Sequence, residues 1–272
     1  MESLKHGGVA SRASVNIKWI DSETVTAENV GELLGDVSGI LVPGGFGSRG
    51  IEGKIQAIKY AREHQVPFLG LCLGMQLSIV EFARDVVGYS DAHSAELDPS
   101  TAHPVIHLMP DQDGIEDIGG TLRLGSYPCV LDKKSKAYAL YGTQLINERH
   151  RHRFEINNHY RDDFTSHGMM ISGQSPDGHI VEMIELPDHP FYVGIQAHPE
   201  LKSRPNHAHP LFAGFVESAE EQGVLRRAKK LLMKRNHLSE PEAHRYLQKT
   251  SMDTGRTMTE SAHMVTMLIH ED

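Results

Sequence analysis

The apolar run Val66-Pro67-Phe68-Leu69-Gly70-Leu71 stops at Cys72, and apolar residues resume at helical spacing from Met75 to Val87. The first stretch has the length and composition of a buried strand. The second, with Leu77, Val80, Phe82, Ala83, Val86 and Val87, has the period of a helix. Cys72 therefore falls on the sharp turn between them, with Gly70 and Gly74 two positions to either side. Such a strand–turn–helix lifts a nucleophile above the edge of a sheet. The helix start also offers backbone N–H groups and a positive dipole end, which favour a thiolate and an oxyanion. The plainer alternative is a small cysteine filling a core beside a turn.

The flanking sequence supplies the rest of such a sheet. Residues 15–20 alternate as a strand, and 26–34 read as a helix with Thr26 as its cap. Ser3-Leu4-Lys5-His6-Gly7-Gly8 reads as a last helical turn stopped by glycine. Residues 38–42 form a buried strand that runs into Pro43-Gly44-Gly45-Phe46-Gly47, and 53–64 form an amphipathic helix with Ile55, Ile58 and Ala61 inward. This alternation predicts an open, mostly parallel sheet with helices on its faces. The glycine-rich turn lacks the spacing of a dinucleotide fingerprint and the Gly-Lys-Ser/Thr of a phosphate loop. Its N–H groups could line an oxyanion site, or it is simply a turn.

Residues 89–117 are loop-rich and acidic, with Glu96 a carboxylate that could hold a substrate ammonium. Residues 121–131 read as an interrupted strand in which Cys129 has a structural place. In Glu148-Arg149-His150-Arg151-His152-Arg153, alternation puts His150 and His152 on one face and the three arginines on the other. No completing ligand stands at metal spacing, so an arginine clamp on a carboxylate fits better than a metal site. Residues 168–186 read as a hairpin turning at Ser175-Pro176-Asp177-Gly178. A last apolar strand, 191–197, ends at His198-Pro199-Glu200. With strand-like alternation the imidazole and carboxylate project together, so His198 could take a proton from Cys72 while Glu200 fixes its tautomer.

Two cysteines in 272 residues argue against a disulfide framework and fit a reducing cytoplasm. The N-terminus has no apolar signal core, and no run is long enough to span a membrane. The net charge of −9 is uneven: residues 222–272 hold nine Lys/Arg against six Asp/Glu.

Taken together, Pro43-Gly44-Gly45-Phe46-Gly47, Gly70-Leu71-Cys72-Leu73-Gly74-Met75-Gln76 and Gln196-Ala197-His198-Pro199-Glu200 resemble the class I (triad) glutamine amidotransferases. Residues 15–22, 148–158, 185–191 and the run after Glu200 resemble, within that family, the glutaminase domains of CTP synthases. The resemblance covers residues 1–219 and implies a flavodoxin-like fold. It implies that Cys72 attacks the glutamine amide carbon, that His198 is general base and acid, and that Glu200 orients it. It implies an oxyanion held by the N–H groups of Gly45 and Leu73, and L-glutamine bound through Gly45, Leu73, Gln76, Glu96 and Arg153. Glu96 would take the ammonium and Arg153 the carboxylate. It implies no cofactor for this step, GTP as an allosteric activator, and an ammonia-accepting synthetase domain that carries ATP and Mg2+. That domain is expected to lie outside this chain, together with the first strand and most of the first helix of the glutaminase fold. CTP synthesis by these residues alone is then not expected. Ala197 stands where many relatives have phenylalanine, and Leu201-Lys202 replaces a more usual Phe-Thr.

From Gln222 the character changes to three short basic helices. Leu225, Ala228, Leu231 and Leu232 make an apolar stripe, and Ser239-Glu240-Pro241-Glu242 and Thr257-Met258-Thr259-Glu260 read as capping boxes. Ala262, Val265 and Leu268 make the last apolar face. Residues 222–269 resemble an ANTAR domain, which implies binding of hairpin RNA. An alternative function for the chain is therefore an RNA-binding antitermination regulator, with the first domain a sensor or remnant. A charged, solvated helical bundle is the simpler reading of the same residues. Neither part requires a membrane, and oligomer formation is left open.

Overall fold

In the computed structural model, which describes residues 1–108 and 123–268, the chain opens with α1 (Glu2–Ser11) and α2 (Val30–Leu34). Then follow β1 (Ile40–Val42), α3 (Ile51–Glu63), β2 (Phe68–Leu71) and α4 (Leu73–Phe82). After β3 (His93–Ser94) and β4 (Pro104–Leu108) come β5 (Arg123–Leu131), α5 (Lys136–Tyr141), β6 (Leu145–His152) and β7 (Phe154–Ile156). Helix α6 (Arg161–Ser166) precedes the hairpin of β8 (Met170–Gln174) and β9 (Val181–Glu185), and β10 (Tyr192–Ile195) is the last strand. Helices α7 (Pro210–Asn236), α8 (Glu240–Thr254) and α9 (Met258–Leu268) complete the described chain. It divides into two units, Met1–Val216 and Glu217–Asp272.

In the first unit the described strands form a sheet of order β1-β2-β10-β9-β8-β5-β6 and a small one of order β3-β4-β7. The open α/β sheet with flanking helices predicted above is present. β1, β2 and β10 run parallel, and the ladders from β9 outward are antiparallel. The short connections β8–β9 and β9–β10 allow only antiparallel pairing. Every residue of β2 is buried, as a strand covered on both faces must be. Phe68 joins one core with Ile55, Ile58 and Leu77, whereas Leu69 and Leu71 join the other with Val193, Ile195 and Leu211. A side chain of this size stabilises the fold by roughly 1.5–3 kcal/mol when fully buried, so this alternation pins the register of β2. α4 is buried on all sides, from Leu73 to Phe82, which explains its lack of a polar face.

Several local expectations change. Residues 15–18 alternate in burial and Trp19 breaks the pattern, and 15–20 form no strand, because no neighbouring strand pairs with them among the described residues. Gly7 and Gly8 do not stop α1, which runs to Ser11 and ends on Arg12 in the left-handed conformation. These glycines serve packing instead, since a Cβ at Gly7 would lie 2.6 Å from the Phe212 carbonyl oxygen. The second helix starts at Val30, not Thr26, and the Asn29 side chain accepts a hydrogen bond from the Thr26 N–H at 2.8 Å. β5 is uninterrupted from Arg123 to Leu131, and residues 121–122, like 109–117 of the predicted loop, lie outside the described residues.

In the second unit, Val224, Ala228 and Leu232 of α7 pack with Ala243, Leu247, Ala262 and Val265. The first of the three predicted helices is thus the later part of α7 rather than a short element, and Leu268 is exposed rather than inward. Both capping boxes form: Glu242 accepts from the Ser239 N–H and Glu260 from the Thr257 N–H, each at 2.8 Å. Among the described residues no helix is long and apolar enough to cross a membrane.

Candidate active site

Cys72 sits between β2 and α4 with φ 49° and ψ −102°, a conformation that non-glycine residues rarely adopt. Its N–H donates to the Ile195 carbonyl at 2.7 Å, which ties the elbow to the end of β10. Gly74 is required by close approach: a Cβ there would lie 2.1 Å from the Val42 carbonyl oxygen of β1. The elbow is therefore wedged among the carboxyl ends of three parallel strands, where open α/β sheets place their sites.

The chain leaving β10 brings His198 to this point. The His198 N–H donates to the Arg149 carbonyl of β6 at 2.7 Å, and Nδ1 lies 2.7 Å from Glu200 Oε1. The two side chains meet through a 3-10 turn, Pro199–Leu201, and not through the strand-like alternation expected from sequence. Further hydrogen bonds hold this turn, from Ser3 Oγ to the Glu200 carbonyl and from Lys202 Nζ to Glu148 Oε1 at 2.9 Å. The Cys72 thiol and then the Glu200 carboxylate raise the His198 pKa to about 10, against the opposing effect of burial. With Nδ1 engaged by Glu200, the ring turns its buried Nε2 towards the thiol, without a hydrogen bond of good geometry. Contacts of this kind commonly tighten only when substrate is bound.

Gly44 and Gly45 close the other side. A Cβ at Gly44 would stand 2.8 Å from His198 Cε1 and 3.4 Å from Cys72 Cβ, so only glycine lets this turn lie against the pair. A Cβ at Gly45 would touch the Leu73 side chain at 3.6 Å, so the two N–H groups expected to bind an oxyanion belong to adjoining residues. As the first residue of α4, Leu73 presents an N–H with no partner inside the helix.

The expected glutamine-binding residues are placed as follows. Gln76 is buried, and its Nε2 donates to the Phe154 carbonyl at 2.9 Å and to Gln196 Oε1 at 3.2 Å. Glu96 lies in the turn after β3, and although the residue is exposed, the protein around its carboxylate pushes its pKa up, with Arg153 pulling the other way. Arg153 is half-buried at the break between β6 and β7, with Nε buried and unpartnered. It does not share the exposed face of Arg149 and Arg151, because the strand ends at His152. Arg153 thus lies within electrostatic reach of Glu96 and keeps one buried N–H donor without a partner.

His150 and His152 share a buried face as predicted, and their rings are joined, Nδ1 to Nε2, at 3.0 Å. Burial, and then Arg123, push their pKa values down to about 2 and about 3, so both are neutral. Arg123 pairs with the buried Glu182 at 2.6 Å. Among the described residues no three His, Cys, Asp or Glu side chains converge as a metal site.

One residue at the centre was not singled out from sequence. Gln196 is fully buried, and its Nε2 lies 3.6 Å from Cys72 Sγ. Its signal was present, since it precedes His198 by two residues and shares its strand end.

The family model described as Glutamine amidotransferase class-I matches residues 1–218, and the ANTAR domain model matches residues 215–265. The CTP synthase of Clostridium beijerinckii is 58% identical over 222 residues, which is 82% of this chain and 41% of that protein. The CTP synthase of Halalkalibacterium halodurans is 59% identical over 218 residues, covering 80% of this chain and 41% of its own length. This chain thus spans about two-fifths of the curated relatives it matches. Among solved structures, the glutaminase domain of Trypanosoma brucei CTPS with bound acivicin is 33% identical, with a TM-score of 0.76 over 81% of this chain and 86% of that one. The strained cysteine, its histidine–glutamate pair and the glycine turn against them accord with these matches, and the chain belongs to the class I glutamine amidotransferase family.

Proposed function

We propose that the first unit hydrolyses L-glutamine and supplies ammonia for the amination of UTP to CTP on a synthetase domain. The observation that carries this reading is the convergence of Cys72, at the end of β2, with the His198–Glu200 pair that follows the neighbouring strand β10. The Cys72 sulfur attacks the amide carbon of glutamine. The tetrahedral oxyanion is received by the Gly45 and Leu73 N–H groups. His198, protonated in the resting pair, gives its proton to the departing ammonia and leaves a thioester. It then takes a proton from the water that hydrolyses this thioester, and glutamate is released. Glu200 holds the ring in the tautomer that directs Nε2 at the sulfur. Gln76, Glu96 and Arg153 bind the substrate, with Glu96 at its ammonium and Arg153 at its carboxylate.

The glutaminase step uses no cofactor in this account. ATP and Mg2+ serve the synthetase domain, and GTP acts as an activator of glutamine hydrolysis. The relatives named CTP synthase support this assignment of the ammonia's destination. The test is ammonia release from glutamine by the purified chain, with and without GTP. Release that is abolished in Cys72→Ala supports the reading, and equal release by that variant overturns it.

The second unit supports a separate reading. The ANTAR match, together with exposed Arg227, Lys230, Lys234 and Arg235, favours hairpin RNA bound through phosphate contacts. Binding should weaken with salt and vanish when the chain is truncated after Ala219. Binding that survives truncation refutes it.

A further inference from the structure

We propose that Gln196 is a positioning residue for the reaction, its side-chain amide donating an N–H to Cys72 Sγ so that the sulfur is held in its anionic form. The proposal rests on the thioester reading above.

The direction of this hydrogen bond follows from its neighbours. The Phe154 carbonyl can only accept, so the Gln76 atom 2.9 Å from it is the donor Nε2. That same Nε2 lies 3.2 Å from the Gln196 amide, which must therefore turn its oxygen towards Gln76. The remaining end of Gln196, 3.6 Å from Sγ, is then the N–H donor. A main-chain carbonyl thus sets the polarity of a relay, Phe154–Gln76–Gln196–Cys72, that delivers a proton donor to the sulfur. The side chain is held in place, because Gln196 is fully buried and its backbone N–H donates to the Glu182 carbonyl at 2.9 Å. A donor aimed at sulfur is worth most when the sulfur is charged. His198 and this amide would then hold the thiolate from two positions on the segment that leaves β10.

His198 faces the sulfur, Glu200 stands behind His198, and the neutral His150 and His152 lie within electrostatic reach of His198. Arg123 and Glu182 pair behind those histidines.

The experiment compares the full chain with Gln196→Met, which keeps the volume without a donor, and Gln196→Glu, which offers an oxygen instead. The rate of iodoacetamide alkylation at Cys72 is measured against pH by peptide mass spectrometry, beside kcat and KM for glutamine. Gln196→Met should slow alkylation of Cys72 about tenfold and lower kcat roughly 10- to 100-fold, with KM changed by less than about threefold. Gln196→Glu should be worse than Gln196→Met. A Gln196→Met profile that overlays the parent, or a Gln196→Glu variant as reactive as Gln196→Met, overturns the proposal. Gln76→Glu tests the same relay if Gln196→Met does not fold. A carboxylate there would make Gln196 turn its N–H away from sulfur, and an unchanged alkylation profile would again refute the proposal. Parent protein that a glutamine-like electrophile does not label at Cys72 overturns the thioester reading, and this proposal with it. Labelled parent with an unaltered Gln196→Met overturns the positioning role alone.

Discussion

Gly44→Ala isolates the geometry of the site from its chemistry. Gly44 is not in the left-handed region, so alanine adds no backbone strain, and the added methyl is the whole perturbation. That methyl would stand 2.8 Å from His198 Cε1 and 3.5 Å from Nδ1. Carbon atoms settle at about 3.5–4.0 Å, so relief requires the ring or the turn to move by roughly 0.7–1.2 Å. The ring cannot yield freely, because Nδ1 is held by Glu200 and the backbone by Arg149. A misplacement of about 1 Å at reacting groups costs on the order of 100-fold, which is about 2.7 kcal/mol of transition-state stabilisation. The assay is ammonia release from glutamine over a range of concentrations, with circular dichroism to confirm folding. Gly31→Ala is the control, since nothing lies within 4 Å of a methyl there. Folded Gly44→Ala protein with kcat/KM within about threefold of the parent would refute the argument that this turn touches the working histidine.

Three further outcomes are expected. Glu81 is fully buried on α4 and receives Arg62 at 2.7 Å, so Arg62→Ala should cost on the order of 3 kcal/mol in urea unfolding, much of it restored by adding Glu81→Leu; a loss below about 1 kcal/mol contradicts this. The folded pKa of His198 lies above its unfolded value. The parent's stability advantage over His198→Gln should therefore be full below pH 6.5 and disappear as pH rises through about 10. Denaturant unfolding at several pH values checks this, and an advantage that grows with pH contradicts it. Ser239→Ala removes a cap from α8 and should lower the stability of the second unit by about 1 kcal/mol, read from its helical signal on heating; an unchanged midpoint would show that the cap contributes nothing.

The parts of the fold legible in the sequence were those with an unambiguous period. β2 and α4 lie where apolar spacing places them, because burial on both faces leaves no alternative register, and α3 follows its one apolar face; beyond Phe82 the helix expected to Val87 continues as a π-helical turn. Residues 15–20 show the limit of this logic: their pattern is that of a strand, yet pairing depends on a neighbour that local sequence does not encode. The site was legible wherever a residue's chemistry matched its place at a strand end, as with Cys72 and His198. The 3-10 turn that joins His198 to Glu200 was not, since Pro199 is compatible with either backbone. Gln196 has no charge or nucleophile to mark it, and its place two residues before His198 is a positional signal without a chemical one. Only its contact with Sγ, and the relay behind it, gives it a place.

The central claim is most directly tested by incubating the chain with 6-diazo-5-oxo-norleucine and weighing the intact protein. The account predicts a single adduct, mapped to Cys72, slowed by excess glutamine and absent from Cys72→Ala. An unmodified parent, or equal modification of Cys72→Ala, would contradict it.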